Sequence, residues 1–412
     1  MKRKGKLIIK LIILLMSTLL LANCSMKNND ELPQGPDSSE NIDTEKDEIK
    51  SEISNMKIED KISQLFIVGI EGYELSQDEI DIINNYNLSG FIFFDRNIET
   101  KDQFINLINT LKDENKGEIP YFLSVDEEGG RVERLDKFYL KMPSMHDIGE
   151  INDDELAYKV GTVLGSKLKT FGLNMNFAPV LDINSNPLNQ VIGDRSFGSD
   201  ADIVAKLGNQ LAKGISYQGI VAVGKHFPGH GDTQIDSHYD LPVINKDLVE
   251  LETLELKPFI YNINNGMSAI MVGHLLLPQI SNEPSSLSYE IINDILREKL
   301  KFNGVVLSDD MTMGAITDNY DIKDAVLKFL IAGGDIALIC HDNSQIGDIV
   351  NYVKLAVENG TITESEIDDK LYRILLLKKE YDIDDEKVDY NSIDSYIGKI
   401  NEEINNIYLE VE

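Results

Sequence analysis

Tryptophan is absent from this chain, so any aromatic stacking surface must come from its 16 tyrosines and 14 phenylalanines. Cysteine is nearly absent: Cys24 and Cys340 are the only two. They stand in unlike surroundings, so no disulfide is expected. Cys340, in the apolar run "DIALIC", reads as a buried free thiol. Basic residues are scarce, 39 against 71 acidic ones, which leaves a net charge of −32. Such a surface repels nucleic acid and anionic headgroups, which argues against a nucleic-acid partner. No glycine-rich phosphate fingerprint follows the first apolar strand, which counts against an open dinucleotide-type sheet. Past the N-terminus no stretch is long and apolar enough to span a membrane.

What is present begins with "MKRKGKLIIKLIILLMSTLLLANCS". Lys2, Arg3, Lys4 and Lys6 precede an apolar run from about Leu11 to Ala22, the pattern of a secretory signal peptide. The "LLLANC" before Ser25 resembles the lipobox of bacterial lipoproteins. That resemblance implies removal of residues 1–23 and lipidation of Cys24; the alternative is an uncleaved anchor. Either way the expectation is a membrane partner through an N-terminal anchor, on the outer face of the cytoplasmic membrane, or secretion. Residues 24–49 are polar and lack apolar periodicity, which predicts a flexible tether.

From there a rhythm sets in. Apolar, β-branched runs occur at 65–70, 90–94, 121–126, 174–183, 219–227, 268–277, 304–311 and 335–342. Helical patterns lie between or after them, among them 155–171, 201–217, 247–264, 289–300, 323–332, 345–358 and 364–380. Near-continuous apolar strands alternating with helices predict an α/β fold with a parallel sheet covered on both faces. Eight such strands predict a closed (β/α)8 TIM-like barrel over 50–383, a single domain, followed by a charged helical tail over 384–412. In such barrels chemistry gathers where strands end. Polar residues stand at these ends here: Asp126, Asp182, Lys225, His226, His274, Asp309, Asp310, His341 and Asp342.

Three stretches carry candidate chemistry. "KHFPGHGDTQIDSH", Lys225 to His238, holds three of the six histidines. A metal cage is the weaker reading: Pro228 and Gly229 forbid a helical turn between His226 and His230, and the stretch has no Cys or Glu. His230, Asp232 and Thr233 read as turn residues with local hydrogen bonds. Asp236 and His238 are more pointed. Two apart in extended chain, they project to one side, so the carboxylate can orient the imidazole and support its protonated form. That suits a proton donor near neutral pH. "VVLSDDMTMG" supplies a counterpart. Adjacent residues of a strand alternate, so at most one of the two aspartates is expected in the barrel mouth. Asp309 leaves the strand directly, whereas Asp310 has a competing reading as a helix cap. An ionised Asp at a strand end can attack an electrophilic sugar carbon. "SVDEEGGRVERL" places Asp126 at a strand end, before a glycine pair that lets backbone and ligand approach closely. Carboxylates and Arg in a cleft hold hydroxyl groups through charge-assisted bonds. Glu127 and Glu128 have a solvated reading.

Together with "NFAPVLDINSNPLNQVIGDRSFG", these stretches resemble glycoside hydrolase family 3, in its branch of NagZ-type β-N-acetylglucosaminidases, over about residues 50–380. The resemblance implies a retaining enzyme with Asp309 as nucleophile, His238 as acid/base and Asp236 as its partner. It also implies that Asp126, Arg134, Arg195, Lys225 and His226 bind an N-acetylglucosamine ring. No cofactor or metal, a carbohydrate substrate and a monomer are expected. The expected reaction is removal of terminal β-linked N-acetylglucosamine from cell-wall fragments. The alternatives are a β-glucosidase or β-xylosidase, a phosphorylase, and a non-catalytic sugar-binding lipoprotein.

Overall fold

Eight short parallel strands close on themselves in sequence order: β1 (Phe66–Gly69), β2 (Gly90–Phe93), β3 (Phe122–Val125), β4 (Met175–Asn176), β5 (Val221–Phe227), β6 (Ala269–Val272), β7 (Val305–Asp310) and β8 (Ile336–Ile339). β1 pairs with β8 through Ile67 opposite Leu338, which completes the expected (β/α)8 barrel. The computed structural model describes residues 38–411 apart from 118 and 234–240, with side chains from 47 onward. Cys24 and the predicted signal segment lie outside the described residues.

The strands are short and apolar because both of their faces are covered: inward by the barrel interior, outward by helices. All four residues of β1, β2, β3, β6 and β8 are buried. The helices start where the sequence supplies caps. Ser76 with Glu79, Ser144 with Asp147, and Thr363 with Glu366 each form a reciprocal capping box, which satisfies otherwise orphaned N–H groups.

Three features depart from the sequence expectations. Of the tether predicted over 24–49, the described part is helical: Ser38–Asn55 is one helix. Its buried Ile49 and Ile53, a helical turn apart, pack with Ile119, Leu371 and Leu375, and that apolar contact extends helical order into polar sequence. The strand predicted over 174–183 is regular only at Met175–Asn176. Pro179 has no N–H to give a ladder, although the chain continues beside β5, with Lys225 N donating to Pro179 O at 3.0 Å and Leu181 N to Lys225 O at 2.6 Å. The single helix predicted over 247–264 is two, Leu248–Thr253 and Lys257–Asn264. Pro258 is tolerated only in a first turn, so a new helix starts there. The 384–412 tail, predicted as helical, is helical from Ile393. Its helix Ile393–Val411 buries Ile393, Ile400, Ile404 and Ile407 in the main core, and Lys159 pairs with Glu410 at 3.2 Å.

Candidate active site

At the C-terminal end of the strands lies a cavity of about 220 Å³, below the roughly 300–1,000 Å³ of pockets for drug-sized ligands and thus suited to one small ring. Ile92, Phe177, Met271 and Leu338 give it apolar lining, while Asp126, Arg134, Arg195, Lys225, His226 and Asp309 also line it. Six of the sequence-predicted site residues therefore meet in one place. Asp236 and His238 lie in 234–240, outside the described residues. A larger cavity of about 790 Å³ is lined by Asn174 and Gly219, which precede β4 and β5, and by Tyr381 and Lys399. It sits at the opposite end of the barrel, where such folds do not carry their chemistry.

Two irregularities in the sheet shape the cavity. The β5–β6 register slips between Gly224 and Phe227, and the β7–β8 register slips between Leu307 and Asp310. Such bulges break strict alternation and re-aim side chains. At these places adjacent residues both line the cavity: Lys225 with His226, which a cis peptide joins, and Asp309 with Asp310. The expectation that at most one of the two aspartates would enter the mouth is corrected accordingly. Asp310 is nevertheless occupied: its carboxylate accepts from Thr312 N at 2.9 Å and Cys340 N at 3.0 Å. Asp309 accepts from Asp310 N at 2.9 Å. His274 fixes this corner, with Nε2 donating to Asp310 O at 2.9 Å and Nδ1 facing the Ser286 hydroxyl at 2.7 Å. Burial alone would raise the Asp309 carboxyl, but His274, His226 and Lys225 nearby hold it below the ordinary aspartate value.

On the facing wall the charges are matched. Lys225 Nζ reaches Asp126 Oδ1 and Glu128 Oε1, each at 2.6 Å. Arg195 grips Glu128 through Nε and Nη2, both at 2.7 Å, the bidentate geometry that makes arginine–carboxylate pairs strong. Arg134 Nη2 stands 3.9 Å from Asp126 Oδ2. Burial alone would raise the Glu128 carboxyl; Arg195 and Lys225 drive it far below its ordinary value. For Lys225, burial would lower the ammonium, yet Asp126 and Glu128 leave it raised.

The sequence reading missed Glu128, whose solvated reading is wrong: it is buried. A usable signal existed, since the predicted cations Arg134, Arg195 and Lys225 outnumber the predicted carboxylates Asp126 and Asp309. Glu127 is buried too. Its carboxylate pairs with the buried Lys167, which also reaches Glu133 at 2.8 Å, and accepts from Arg134 N at 2.8 Å. It thereby sets the backbone that presents Arg134. The glycine pair serves the turn rather than a ligand: Gly129 and Gly130 have φ of 93° and 63°, and a side chain on either would press on Met145 or Ser144. His226 and His230 turn their Nδ1 atoms to Asp182 and Thr233, at 2.7 and 2.9 Å. Among the described residues no group of three His, Cys, Asp or Glu is placed to hold a metal ion.

The model of the glycosyl hydrolase family 3 N-terminal domain matches residues 57–377. A beta-hexosaminidase of Methylobacillus flagellatus is 33% identical over 298 residues, covering 71% of this chain and 84% of that protein. Among solved structures, a fungal multi-domain β-N-acetylglucosaminidase of the same family superposes with a TM-score of 0.80 at 34% identity. It covers 85% of this chain, which spans 42% of that longer one. NagZ of Neisseria gonorrhoeae, in complex with N-trifluoroacetyl-D-glucosamine, gives 0.68 at 29% identity, covering 84% of this chain and 98% of that one. With the family match running through the whole barrel and the sequence-predicted residues gathered at its functional end, the chain belongs to glycoside hydrolase family 3.

Proposed function

We propose that the protein is a retaining β-N-acetylglucosaminidase that releases terminal β-linked N-acetylglucosamine from cell-wall fragments. The observation that carries this reading is Asp309: a carboxylate kept ionised at a strand end, in a one-ring cavity whose other wall offers Asp126, Arg134, Arg195, Lys225 and His226 to hydroxyl groups. In the first step an Asp309 oxygen bonds to the anomeric carbon as the bond to the leaving oxygen breaks. His238, oriented by Asp236, donates its proton to that oxygen. In the second step His238 takes a proton from water, which attacks the same carbon and frees Asp309. A histidine suits this role beside an anionic nucleophile, because in its neutral form it adds no second negative charge. The beta-hexosaminidase and β-N-acetylglucosaminidase names of the relatives support the substrate class. An N-terminal lipid on Cys24 would hold the enzyme at the outer face of the cytoplasmic membrane, where wall fragments pass.

The test is release of 4-nitrophenol from its N-acetyl-β-glucosaminide, alongside the glucoside and xyloside, with and without inorganic phosphate. The expected result is hydrolysis of the N-acetylglucosaminide to free sugar. Asp309→Ala is expected to lose activity by several orders of magnitude and to regain part of it with azide, giving the glycosyl azide. Full activity in that variant removes Asp309 from the mechanism, and sugar 1-phosphate as the main product makes the enzyme a phosphorylase.

A further inference from the structure

Asp182 is fully buried beside the cavity and takes no part in the mechanism above. It follows the irregular continuation of β4, and three segments of the site converge on it. Its carboxylate lies 2.7 Å from His226 Nδ1, accepts from His230 N at 2.7 Å, and lies 3.3 Å from His226 N. Its backbone oxygen accepts from Ser196 Oγ at 2.6 Å, next to Arg195. A buried carboxylate that accepted nothing would be strongly disfavoured, so the donors explain how it is tolerated. They do not explain why a carboxylate stands there, since backbone amides could be satisfied by a neutral amide oxygen.

The imidazole supplies the reason. Burial alone would raise the Asp182 carboxyl, yet His226 and the other donors hold it below its ordinary value. An ionised carboxylate has no hydrogen to give, so the hydrogen in this contact sits on His226 Nδ1. The nitrogen left to the cavity that His226 lines is then Nε2. We propose that Asp182 is a positioning residue: it fixes the tautomer and orientation of His226, so that Nε2 is presented to a sugar hydroxyl. Through the His230 amide and Ser196 it also sets two neighbouring segments of the site in register with that ring. The logic is that of a carboxylate holding an imidazole in the required tautomer, here applied to ligand binding rather than to proton transfer.

This inference rests on the reading of the cavity as a sugar site, and the experiment separates the two. Nitrogen-15 spectra of the histidine side chains, with His226 identified by its loss in His226→Ala, report the tautomer without any turnover. The wild type is expected to carry hydrogen on His226 Nδ1. Asp182→Asn can donate through its amide, so hydrogen is expected to move to Nε2. In the same variant kcat/KM for the aryl N-acetylglucosaminide is expected to fall about 10- to 100-fold, and binding of free N-acetylglucosamine, followed by calorimetry, to weaken alongside. In the His226→Ala background the Asp182→Asn step is expected to change kcat/KM by less than about threefold, because the two residues act as one unit. A wild-type His226 with its hydrogen on Nε2 overturns the proposal, whether or not the variants fold. So does an Asp182→Asn loss that is as large without His226 as with it. If the wild type neither binds the sugar nor cleaves the glycoside, the functional reading falls as well, and the proposal with it.

Discussion

At Glu128 one carboxylate answers two cations, Arg195 and Lys225, and all three are largely shielded from water. Removing the charge from one side leaves buried cations short of a partner. Glu128→Gln is therefore expected to destabilise by roughly 3–5 kcal/mol at neutral pH, read by urea unfolding. The folded-state carboxyl is depressed, so the wild-type advantage is present above the ordinary glutamate value of about 4.3 and shrinks as pH falls below it. The gap between wild type and variant should narrow toward pH 3; a gap that widens there contradicts the assignment. Lys370 gives a slope of the same direction in an alkaline window, here because folding disfavours its charged form. It is buried beside Asp335, Arg373 and Arg297, and burial pushes its ammonium down to about 8. Between the ordinary lysine value of about 10.4 and the folded value the unfolded chain binds more protons, so stability falls as pH is lowered through that window and levels off beneath it. Lys370→Met is expected to reduce that slope in the urea midpoint while the fold holds, because Arg297 and Arg373 still satisfy Asp335 at 2.5 and 2.8 Å; the slope that remains belongs to Lys378, which burial pushes down to about 7, and to Lys112, which burial also lowers.

Among elements, the helices Asp154–Thr170 and Ala201–Tyr217 hold the parts of the site that lie between β3 and β5. The first carries Lys167 to Glu127, and the second follows the loop that bears Arg195. They cross with their backbones close together at glycines: a Cβ on Gly161 would lie 2.1 Å from Leu211 O, and one on Gly214 2.2 Å from Tyr158 O. In an isolated helix Gly→Ala is favourable by about 1 kcal/mol. Here the crossing must open, so Gly161→Ala is expected to destabilise by roughly 1–3 kcal/mol. Thermal unfolding reads the sign, and a raised melting temperature rejects the close crossing. The C-terminal helix contributes by apolar burial instead. Ile404 is fully buried, and Ile404→Ala is expected to lower stability by roughly 2–5 kcal/mol.

For the molecule as a whole, the net charge of −32 predicts self-repulsion that salt relieves. Raising sodium chloride from about 0.05 to about 0.5 M should raise the melting temperature, since the Debye length falls below the spacing of most surface acids. The barrel was legible in the chain because a two-sided sheet leaves a plain signature: eight apolar, β-branched runs separated by amphipathic segments. Asp126, Lys225, His226 and Asp309 could be named in advance because they stand at strand ends, and Arg134 and Arg195 because their motifs resemble those of the family. Other features depend on residues far apart in sequence. Glu127 is paired by Lys167, and Ile49 and Ile53 find Leu371 and Leu375; neither partnership has a local trace. By itself, then, the sequence determined the alternation of strands and helices and the identity of six side chains that line the cavity. Only the tertiary structure decided where each of them points. Where β5 and β7 slip in register, two adjacent pairs, Lys225 with His226 and Asp309 with Asp310, line the same cavity. A bulge is a property of how one strand lies against the next, and a pattern of alternation along one strand cannot encode it.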